Sequence, residues 1–331
     1  MALLDVSNLN VEFPTRHGTL HALRDVSFTL DKGERLGIVG ESGAGKSLAA
    51  FAIINLLSKP GRISGGTITF EGQDLTAMDT DALRSIRGNR ISMIFQDPMM
   101  TLNPVLTIGT QMVETLQAHR RISHAEAKRI AIAKLREVTI PSPEERFDSY
   151  PHELSGGMRQ RVVIAIALLT DPSIIIADEP TTALDVTIQA EIMALMLDLC
   201  ETHDVGLILI THDLGVVSEV TQRVNVMYAG RVIETGSTRD IIDAPKHPYT
   251  RGLIAALPQQ NEAAQRLNQI PGSMPSLDGI PPGCAFNPRC PHVGERCRRE
   301  IPALRALGEQ QVACHSAEEV AALAGNGGSA S

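Results

Sequence analysis

Short apolar runs alternate with glycine-containing turns and with segments of helical periodicity along most of the chain. The run Leu36–Val39 precedes a glycine-rich turn, which is followed by the apolar-rich stretch Leu48–Ile54. Further apolar runs begin at Ile91, Ile174 and Leu207, with segments long enough for helices between them. Short apolar runs bounded by turn residues are typical of buried strands. The pattern therefore predicts an α/β fold with a mainly parallel core sheet.

Residues 3–13, 22–30 and 65–72 are predicted strands of a different kind, because their apolar and polar positions alternate. We expect them to form an antiparallel β subdomain beside the core sheet. Phe13 is a candidate for stacking on an adenine ring, and a place in the core is the alternative. Residues 107–140 have helical periodicity and carry many charges, which predicts an exposed helical lobe.

The turn after the first buried strand has the composition of a loop that binds phosphate groups. It consists of Gly40, Glu41, Ser42, Gly43, Ala44, Gly45, Lys46 and Ser47. Glycines allow successive backbone N–H groups to point at one anion, and the following helix adds the positive end of its dipole. In such a loop the lysine reaches the β- and γ-phosphates and the serine hydroxyl binds Mg²⁺. We therefore predict that the chain binds a nucleoside triphosphate with Mg²⁺.

A second helix start with the features of an anion site follows at Ser155, Gly156 and Gly157. Ser155 fits the N-cap of a strongly apolar helix that extends through Leu169, and the glycines permit close approach of an anion. Two such helix starts in one ATPase domain face either one ligand within the chain or ligands shared with another chain. A plain glycine-containing cap is the alternative for this stretch alone.

Two adjacent carboxylates, Asp178 and Glu179, end the strand that begins at Ile174. Because neighbouring strand residues point to opposite sides, the two side chains can have different roles. We expect Asp178 to hold Mg²⁺ or its waters and Glu179 to polarise the attacking water. His212 ends the next predicted strand, at the edge where ligands bind to parallel sheets, and is a candidate contact of the γ-phosphate.

Composition is that of a globular protein, with 331 residues, 43% hydrophobic and 21% charged. We expect no membrane span and no export signal, since the apolar runs are short and the N-terminus lacks a basic region followed by an apolar one. The net charge of −8 and the small number of aromatic residues argue against nucleic acid as a partner.

The motifs in this order and spacing, over residues 3–240, resemble those of an ABC transporter ATP-binding subunit. The resemblance implies a P-loop ATPase with a mainly parallel core sheet, an antiparallel β subdomain and a helical lobe. It implies that Gln96 binds Mg²⁺ and couples the γ-phosphate to membrane subunits. Asp185 would line the seam between two ATPase subunits. The proposed catalytic set then comprises Lys46, Gln96, Glu179 and His212.

The same resemblance implies that the two anion-binding helix starts face nucleotides shared between two chains. Two such subunits pack head to tail, so that ATP lies between the phosphate loop of one and residues 155–157 of the other. It implies two transmembrane permease subunits, a second ATPase subunit that we expect to be a different chain, and an extracytoplasmic peptide-binding protein. The location implied is the cytoplasmic face of the inner membrane, as a peripheral subunit.

Residues 247–253 resemble the stretch that follows the ATPase core in oligopeptide and dipeptide importer subunits. A linker rich in proline and glycine, residues 270–283, leads to a cluster of four cysteines. These are Cys284, Cys290, Cys297 and Cys314. Their spacing fits neither zinc ribbons nor ferredoxins, but clustered cysteines in a cytosolic chain are better metal ligands than disulfides. By resemblance to peptide-importer subunits, we expect a [4Fe–4S] cluster. The alternatives are Zn²⁺, with His292 or His315 replacing a cysteine, and thiols that bind no metal.

The predicted organisation is an ATPase domain over residues 1–240, with the helical lobe at about 97–170. An extension and linker over 241–283, a four-cysteine tail over 284–316 and a disordered end over 317–331 complete the chain. The predicted function is ATP hydrolysis that drives import of di- or oligopeptides. Import of a nickel chelate or glutathione, or an ABC ATPase acting on nucleic acid or ribosomes, are alternatives.

Overall fold

A computed structural model describes residues 2–16, 18–182, 184–256 and 270–325 of the chain. The chain divides into two units. Unit 1 comprises Met1–Leu30, Arg35–Thr76 and Ile210–Ser331, and unit 2 comprises Asp31–Glu34 and Ala77–Leu209. Ala183, residues 257–269 of the predicted extension and residues 326–331 of the predicted end lie outside the described residues. The domain boundaries predicted from sequence stay predictions.

Unit 1 contains an antiparallel sheet of four strands, in the order β2-β1-β4-β5. The strands are β1 (Leu4–Thr15), β2 (Gly18–Leu30), β4 (Arg62–Phe70) and β5 (Gln73–Asp74). Leu4 pairs with Leu30 on one side and with Phe70 on the other, and all three side chains are buried. Apolar side chains at alternate positions thus share one face. The predicted antiparallel β subdomain is confirmed.

Five more strands of unit 1 are neighbours in the order β11-β12-β10-β9-β3. They are β3 (Arg35–Val39), β9 (Arg223–Tyr228), β10 (Arg231–Ser237), β11 (Arg305–Leu307) and β12 (Gln310–Val312). The C-terminal extension comprises the residues from 241 onward. Strands β3 and β9 are parallel, whereas β10 and the two strands of the extension, β11 and β12, are antiparallel. The helices of unit 1 are α1 (Lys46–Ile53), α9 (Leu214–Val220), α10 (Thr238–Asp243), α11 (Pro248–Ala255) and α12 (Ala317–Gly325).

The C-terminal extension shares its hydrophobic core with the strands of unit 1. Val39, Val226 and Tyr228 from the strands belong to one buried cluster with Tyr249 and Phe286 from the extension. The rings of Tyr228 and Tyr249 lie edge to face with centroids 4.7 Å apart, and those of Tyr228 and Phe286 with centroids 5.3 Å apart. Edge-to-face aromatic pairs add to the stabilisation from burial. The extension is therefore packed on unit 1 as part of its core.

Unit 2 combines buried parallel strands with helices. Its strands are β6 (Ile91–Ile94), β7 (Ile174–Asp178) and residues 206–209 of β8 (Gly206–Thr211). Strands β6 and β7 are parallel, and every residue of β7 is buried, which explains its continuous apolar run. The helices are α2 (Thr80–Ile86), α3 (Pro98–Thr101), α4 (Ile108–His119), α5 (His124–Glu137), α6 (Pro143–Phe147), α7 (Gly156–Leu168) and α8 (Val186–His203).

The predicted helical segment 107–140 is divided into two helices. Helix α4 ends at His119, and α5 begins after Ser123, whose hydroxyl accepts a hydrogen bond from the Glu126 N–H. The capping serine, rather than a break in the apolar pattern, separates the two helices.

The expectation of disorder over 317–331 is wrong for its first part, because residues 317–325 form α12. The side chains of Ala317 and Val320 are fully buried, and the Arg251 guanidinium donates to the Val320 carbonyl at 2.7 Å. Packing against the rest of unit 1 therefore orders a helix that its small-residue composition did not predict. In the described parts of both units, none of the helices is long and apolar enough to cross a lipid bilayer.

Candidate nucleotide-binding site

Residues 40–47, which link β3 to α1 and include the first two residues of that helix, contain three glycines at positive φ, of which two are also closely packed. Gly40 has φ 154° and Gly45 has φ 102°, both in the region that other residues rarely adopt. A Cβ atom on Gly40 would lie 2.4 Å from the Met227 carbonyl oxygen, and one on Gly45 would lie 2.9 Å from Leu23. The loop is thus closely packed on its outer side, and its glycines fix its path into α1.

Lys46, the first residue of α1, reaches back across this loop. Its ammonium group donates hydrogen bonds to the Gly40 carbonyl at 2.8 Å and to the Glu41 carbonyl at 3.1 Å, and the residue is 5% exposed. Two backbone carbonyls therefore hold a positive charge within the loop, where an anionic phosphate group gains most from it. Ser47 follows in the first turn of the helix.

In unit 2, a glutamine and a threonine hold one carboxylate oxygen of Glu179. Gln96 donates to Oε2 of Glu179 at 3.1 Å, and the Thr182 hydroxyl donates to the same oxygen at 2.9 Å. The sequence singled out Gln96 and Glu179 but assigned no role to Thr182. Its position three residues beyond Glu179, in the turn after β7, was the signal that could have identified it.

Glu179 has φ 45°, a left-handed backbone conformation that is costly for a residue with a side chain. It directly follows Asp178, the last residue of β7, which is 5% exposed. The buried carboxylate and its strained neighbour are therefore in different surroundings. That the two have different roles stays a prediction.

The two other segments predicted to face nucleotide make local caps. The Ser155 hydroxyl caps α7 by accepting from the Met158 N–H at 3.3 Å, as the sequence predicts. Asp185 caps α8 by accepting from the Ile188 N–H at 3.0 Å. A Cβ atom on Gly157 would lie 3.0 Å from Ile188, so this glycine also permits close packing of α7 and α8.

His212 and Phe13 both belong to unit 1. His212 is exposed directly after β8 and precedes Asp213, which caps α9. The Phe13 ring is half-buried and packs on Gly61, where a Cβ atom would lie 2.5 Å from the ring. The phosphate loop belongs to the same unit, whereas Gln96, Asp178, Glu179 and Ser155 belong to unit 2. The roles assigned to these residues from sequence stay predictions.

Known relatives extend over almost the whole chain. It is 47% identical over 316 residues to the dipeptide transport ATP-binding protein DppD of Haemophilus influenzae, with 96% of each chain covered. It is 46% identical over 316 residues to DppD of Escherichia coli, with 95% of this chain and 97% of that one covered. The ABC transporter family model matches residues 23–182. The chain belongs to the ABC transporter ATP-binding family.

Two further comparisons describe other parts of this ABC subunit. Residues 233–297 match the model of the oligopeptide/dipeptide transporter C-terminal region. The bacterial ABC transporter cassette MJ0796, in a dimeric structure, superposes with a TM-score of 0.64 at 29% identity, over 71% of this chain and 99% of that one. A dimeric post-hydrolysis structure of the same cassette, bound to ADP and Pi, gives a TM-score of 0.63 at the same identity and coverage. The ABC cassette fold predicted from sequence is confirmed.

The four clustered cysteines of this ABC subunit lie in one neighbourhood of the extension. The Cys284 N–H donates to the Cys297 carbonyl at 2.8 Å. Burial, and then the nearby Cys297 and Cys290, raise the pKa of Cys284 to about 11. Burial, and then the other three thiols, raise the pKa of Cys314 to about 12. Within the described ranges, however, no three histidine, cysteine or acidic side chains are arranged to hold a metal ion.

Proposed function

We propose that this subunit hydrolyses ATP to drive the import of di- or oligopeptides through a membrane ABC transporter. The observation that carries this proposal is the match of residues 233–297 to the oligopeptide/dipeptide transporter C-terminal region. Many ABC subunits share the ATPase motifs, whereas this extension is specific to peptide importers by the description of its family. The dipeptide transport names of the relatives from Haemophilus influenzae and Escherichia coli support the same cargo.

The phosphate loop would bind the β- and γ-phosphates of ATP through its backbone N–H groups and Lys46. Ser47, Gln96 and Asp178 supply the hydroxyl, amide and carboxylate oxygens that Mg²⁺ prefers, so the donor set fits this ion. When bound, Mg²⁺ neutralises the charge on the phosphate oxygens. Phe13 would stack on the adenine ring.

Glu179 would orient the attacking water and accept its proton, because its carboxylate is fixed by Gln96 and Thr182 through one oxygen. His212 would contact the γ-phosphate. Preorganised donors and acceptors of this kind lower the barrier because they need no rearrangement during the reaction.

A head-to-tail pair of ATPase subunits would place Ser155, Gly156 and Gly157 of one chain, together with Asp185, at the nucleotide of the other. The dimeric MJ0796 structures, one of them with ADP and Pi, support the pairing of two ATPase subunits. ATP would then favour the closed pair, and hydrolysis would favour the open one. Two permeases, a second and different ATPase chain and an extracytoplasmic peptide-binding protein would complete the transporter. Gln96 would link the γ-phosphate to the permeases at the cytoplasmic face of the membrane.

The four-cysteine tail would bind a [4Fe–4S] cluster, with Zn²⁺ as the alternative. Thiolates are ligands for both, and the four thiols lie close enough to raise one another's pKa values. Binding requires the thiols to lose their protons, and a cation supplies the positive charge that stabilises four adjacent thiolates. The group would hold the tail together by linking residues 284 and 314. The donor chemistry fits, although the side chains are not already arranged as a site.

The test is affinity purification of the tagged subunit from native membranes, with co-purifying chains identified and metal counted in the same sample. Two permeases, a second ATPase and peptide-stimulated ATP hydrolysis are expected, and a matched preparation of Lys46→Ala should keep the partners but lose hydrolysis. Stimulation by a nickel chelate or glutathione instead of peptides would change the cargo. Co-purification with ribosomal or DNA-repair proteins would overturn the transport function.

A further inference from the structure

The C-terminal extension reaches the phosphate loop through a partly buried ion pair. The Arg289 guanidinium donates to both carboxylate oxygens of Glu41, at 2.7 and 2.9 Å. The Arg289 side chain is 5% exposed and that of Glu41 is 30% exposed. A bidentate, largely desolvated pair of this kind is strong and directional. Glu41 is the second residue of the phosphate loop, so this contact acts directly on the loop.

Arg289 is itself held in place by the extension and by Tyr228 of β9. Its Nε donates to the Pro271 carbonyl at 2.8 Å. Its guanidinium carbon lies 5.9 Å from the ring centre of Tyr228 and 5.7 Å from that of Phe286. These contacts fix the guanidinium independently of Glu41. The two ring contacts are cation–π interactions, which are stronger at a buried site because water is excluded. The arginine is therefore a rigid support for the loop.

A second residue of the extension holds the backbone of the same loop residue. The Glu41 N–H donates to the Tyr249 hydroxyl oxygen at 2.8 Å. Tyr249 is fully buried, and burial raises the pKa of its phenol, so that it stays protonated and neutral. Glu41 is thus fixed at its backbone by Tyr249 and at its side chain by Arg289.

The fixed residue also shapes the nucleotide site. The Glu41 carbonyl accepts one of the hydrogen bonds that hold the Lys46 ammonium. In addition, the Glu41 carboxylate is a negative charge within a loop that binds an anion, and Arg289 neutralises it. Loss of Arg289 would leave an unpaired carboxylate that repels the phosphates of ATP.

We propose that Arg289 and Tyr249 are positioning residues of the phosphate loop, so that tight ATP binding requires the docked C-terminal extension. The proposal rests on the proposed ATPase function, but it concerns a dependence of one part of the chain on another. The sequence does not indicate this role for Arg289 or Tyr249. Arg289, for example, is 248 residues from its partner Glu41.

The test is a double-mutant cycle on the full-length chain, with the Kd for ATP, kcat and thermal melting measured for each variant. Arg289→Gln is expected to raise the Kd about tenfold, and Tyr249→Phe about fivefold, with kcat at saturating ATP within about twofold of wild type. In the Glu41→Gln background, Arg289→Gln is expected to change the Kd by less than about twofold, since the carboxylate it neutralises is gone. Arg289→Lys should give an intermediate Kd, because lysine keeps the charge but loses the bidentate geometry.

Arg305→Gln is the matched control, because Arg305 pairs with Glu318 at 2.7 Å within the extension and does not contact the loop. Its Kd should equal that of wild type. An Arg289→Gln variant that melts normally and binds ATP like wild type would overturn the proposal, and so would an equal loss of affinity in both Glu41 backgrounds. If Arg289→Gln does not fold, Tyr249→Phe decides on its own: an unchanged Kd overturns the proposal. Failure of the wild-type chain to bind ATP would instead overturn the proposed function.

Discussion

The Gln96 amide donates a hydrogen bond of 3.1 Å to Oε2 of Glu179, the same oxygen that accepts from the Thr182 hydroxyl at 2.9 Å. Two neutral donors on one oxygen fix the plane of the carboxylate without supplying a charge. The left-handed backbone at Glu179 adds a second constraint, at φ 45°. Strain of this kind persists where the surroundings hold a residue in a functional position. The hydrogen bond between Gln96 and Glu179 is therefore the structural basis for the prediction that Glu179 is needed for ATP hydrolysis.

Glu179→Gln is expected to lower the rate of ATP hydrolysis by at least about 100-fold while ATP binding is retained. An amide keeps the size of the side chain but cannot accept a proton, and general-base catalysis contributes about 10²–10⁴-fold. Phosphate release, ATP retention and dimer formation by size-exclusion chromatography measure the effect. Glu219→Gln, which changes an exposed carboxylate on α9, should behave like wild type. Undiminished hydrolysis in Glu179→Gln would remove Glu179 from this role.

Lys46→Ala is expected to weaken ATP binding itself, by about 10- to 100-fold in Kd. A hydrogen bond to a charged group contributes about 1.5–3 kcal/mol, and the phosphates lose their main cationic partner in the loop. Titration with a fluorescent ATP analogue measures the affinity. Lys32→Ala is the control, because Lys32 is 72% exposed and pairs with Asp204 outside the loop. Equal affinity of Lys46→Ala and wild type would contradict the phosphate-loop assignment.

His247 is expected to make the folded protein less stable as the pH falls. Burial lowers its pKa from 6.5 to about 3, and its Nδ1 accepts the Tyr249 N–H, which requires the neutral ring. Between pH 6.5 and 3 the unfolded chain binds this proton and the folded chain does not. The contribution of His247 to the free energy of unfolding is therefore complete above pH 6.5. Below that pH it falls by up to about 1.4 kcal/mol per pH unit.

Neighbouring groups also affect how stability depends on pH, and a variant of His247 can separate its effect from theirs. Glu234 accepts from the His247 backbone N–H, and burial raises its pKa, so its contribution to stability changes in the opposite direction with pH. The Phe286 ring, 5.8 Å away, carries no charge. His247→Asn keeps an N-cap acceptor but removes the titrating ring. Urea unfolding at pH 7 and 4.5 should show wild type losing roughly 2–3 kcal/mol more than the variant; parallel losses would exclude His247 as the cause.

Cys290→Ser is expected to lose the bound metal and to loosen residues 284–314. A serine hydroxyl is a poor replacement for a thiolate, and metal binding to such a tail contributes directly to its folding. Elemental analysis should find about four irons per wild-type chain for a [4Fe–4S] cluster, or about one zinc for the alternative. The control is Cys200→Ser, since Cys200 is buried in α8 of unit 2 and should leave the metal content unchanged. Full metal content in Cys290→Ser would indicate another set of ligands.

The sequence predicted those parts of the fold and site that depend on neighbouring residues. The glycines of the phosphate loop, the cap at Ser155 and the carboxylate at the end of β7 are recognisable from a few consecutive positions. Thr182 was missed, because its hydroxyl acquires a partner only when the turn after β7 folds. Helix α12 was also missed, because its order depends on the burial of Ala317 and Val320 and on the hydrogen bond from Arg251, which is 69 residues from Val320 in sequence.

Contacts over long sequence distances were beyond prediction for the same reason. Nothing in the sequence around Arg289 indicates a partner at Glu41, and the tyrosine at 249 gave only a family resemblance. Side-chain arrangement among the four cysteines was equally inaccessible, since spacing along the chain does not fix distances in space. The predicted metal group and the roles of the nucleotide-site residues therefore stay predictions.

The ion pair between Glu41 and Arg289 cannot form until both residues have been translated. The 248 residues between its two partners take roughly 12–50 s to translate at about 5–20 residues per second. During that interval the nascent chain already has its phosphate loop but lacks the arginine that supports it. With the role proposed for Arg289, tight ATP binding by the nascent chain begins only after residue 289 has been synthesised and has paired with Glu41.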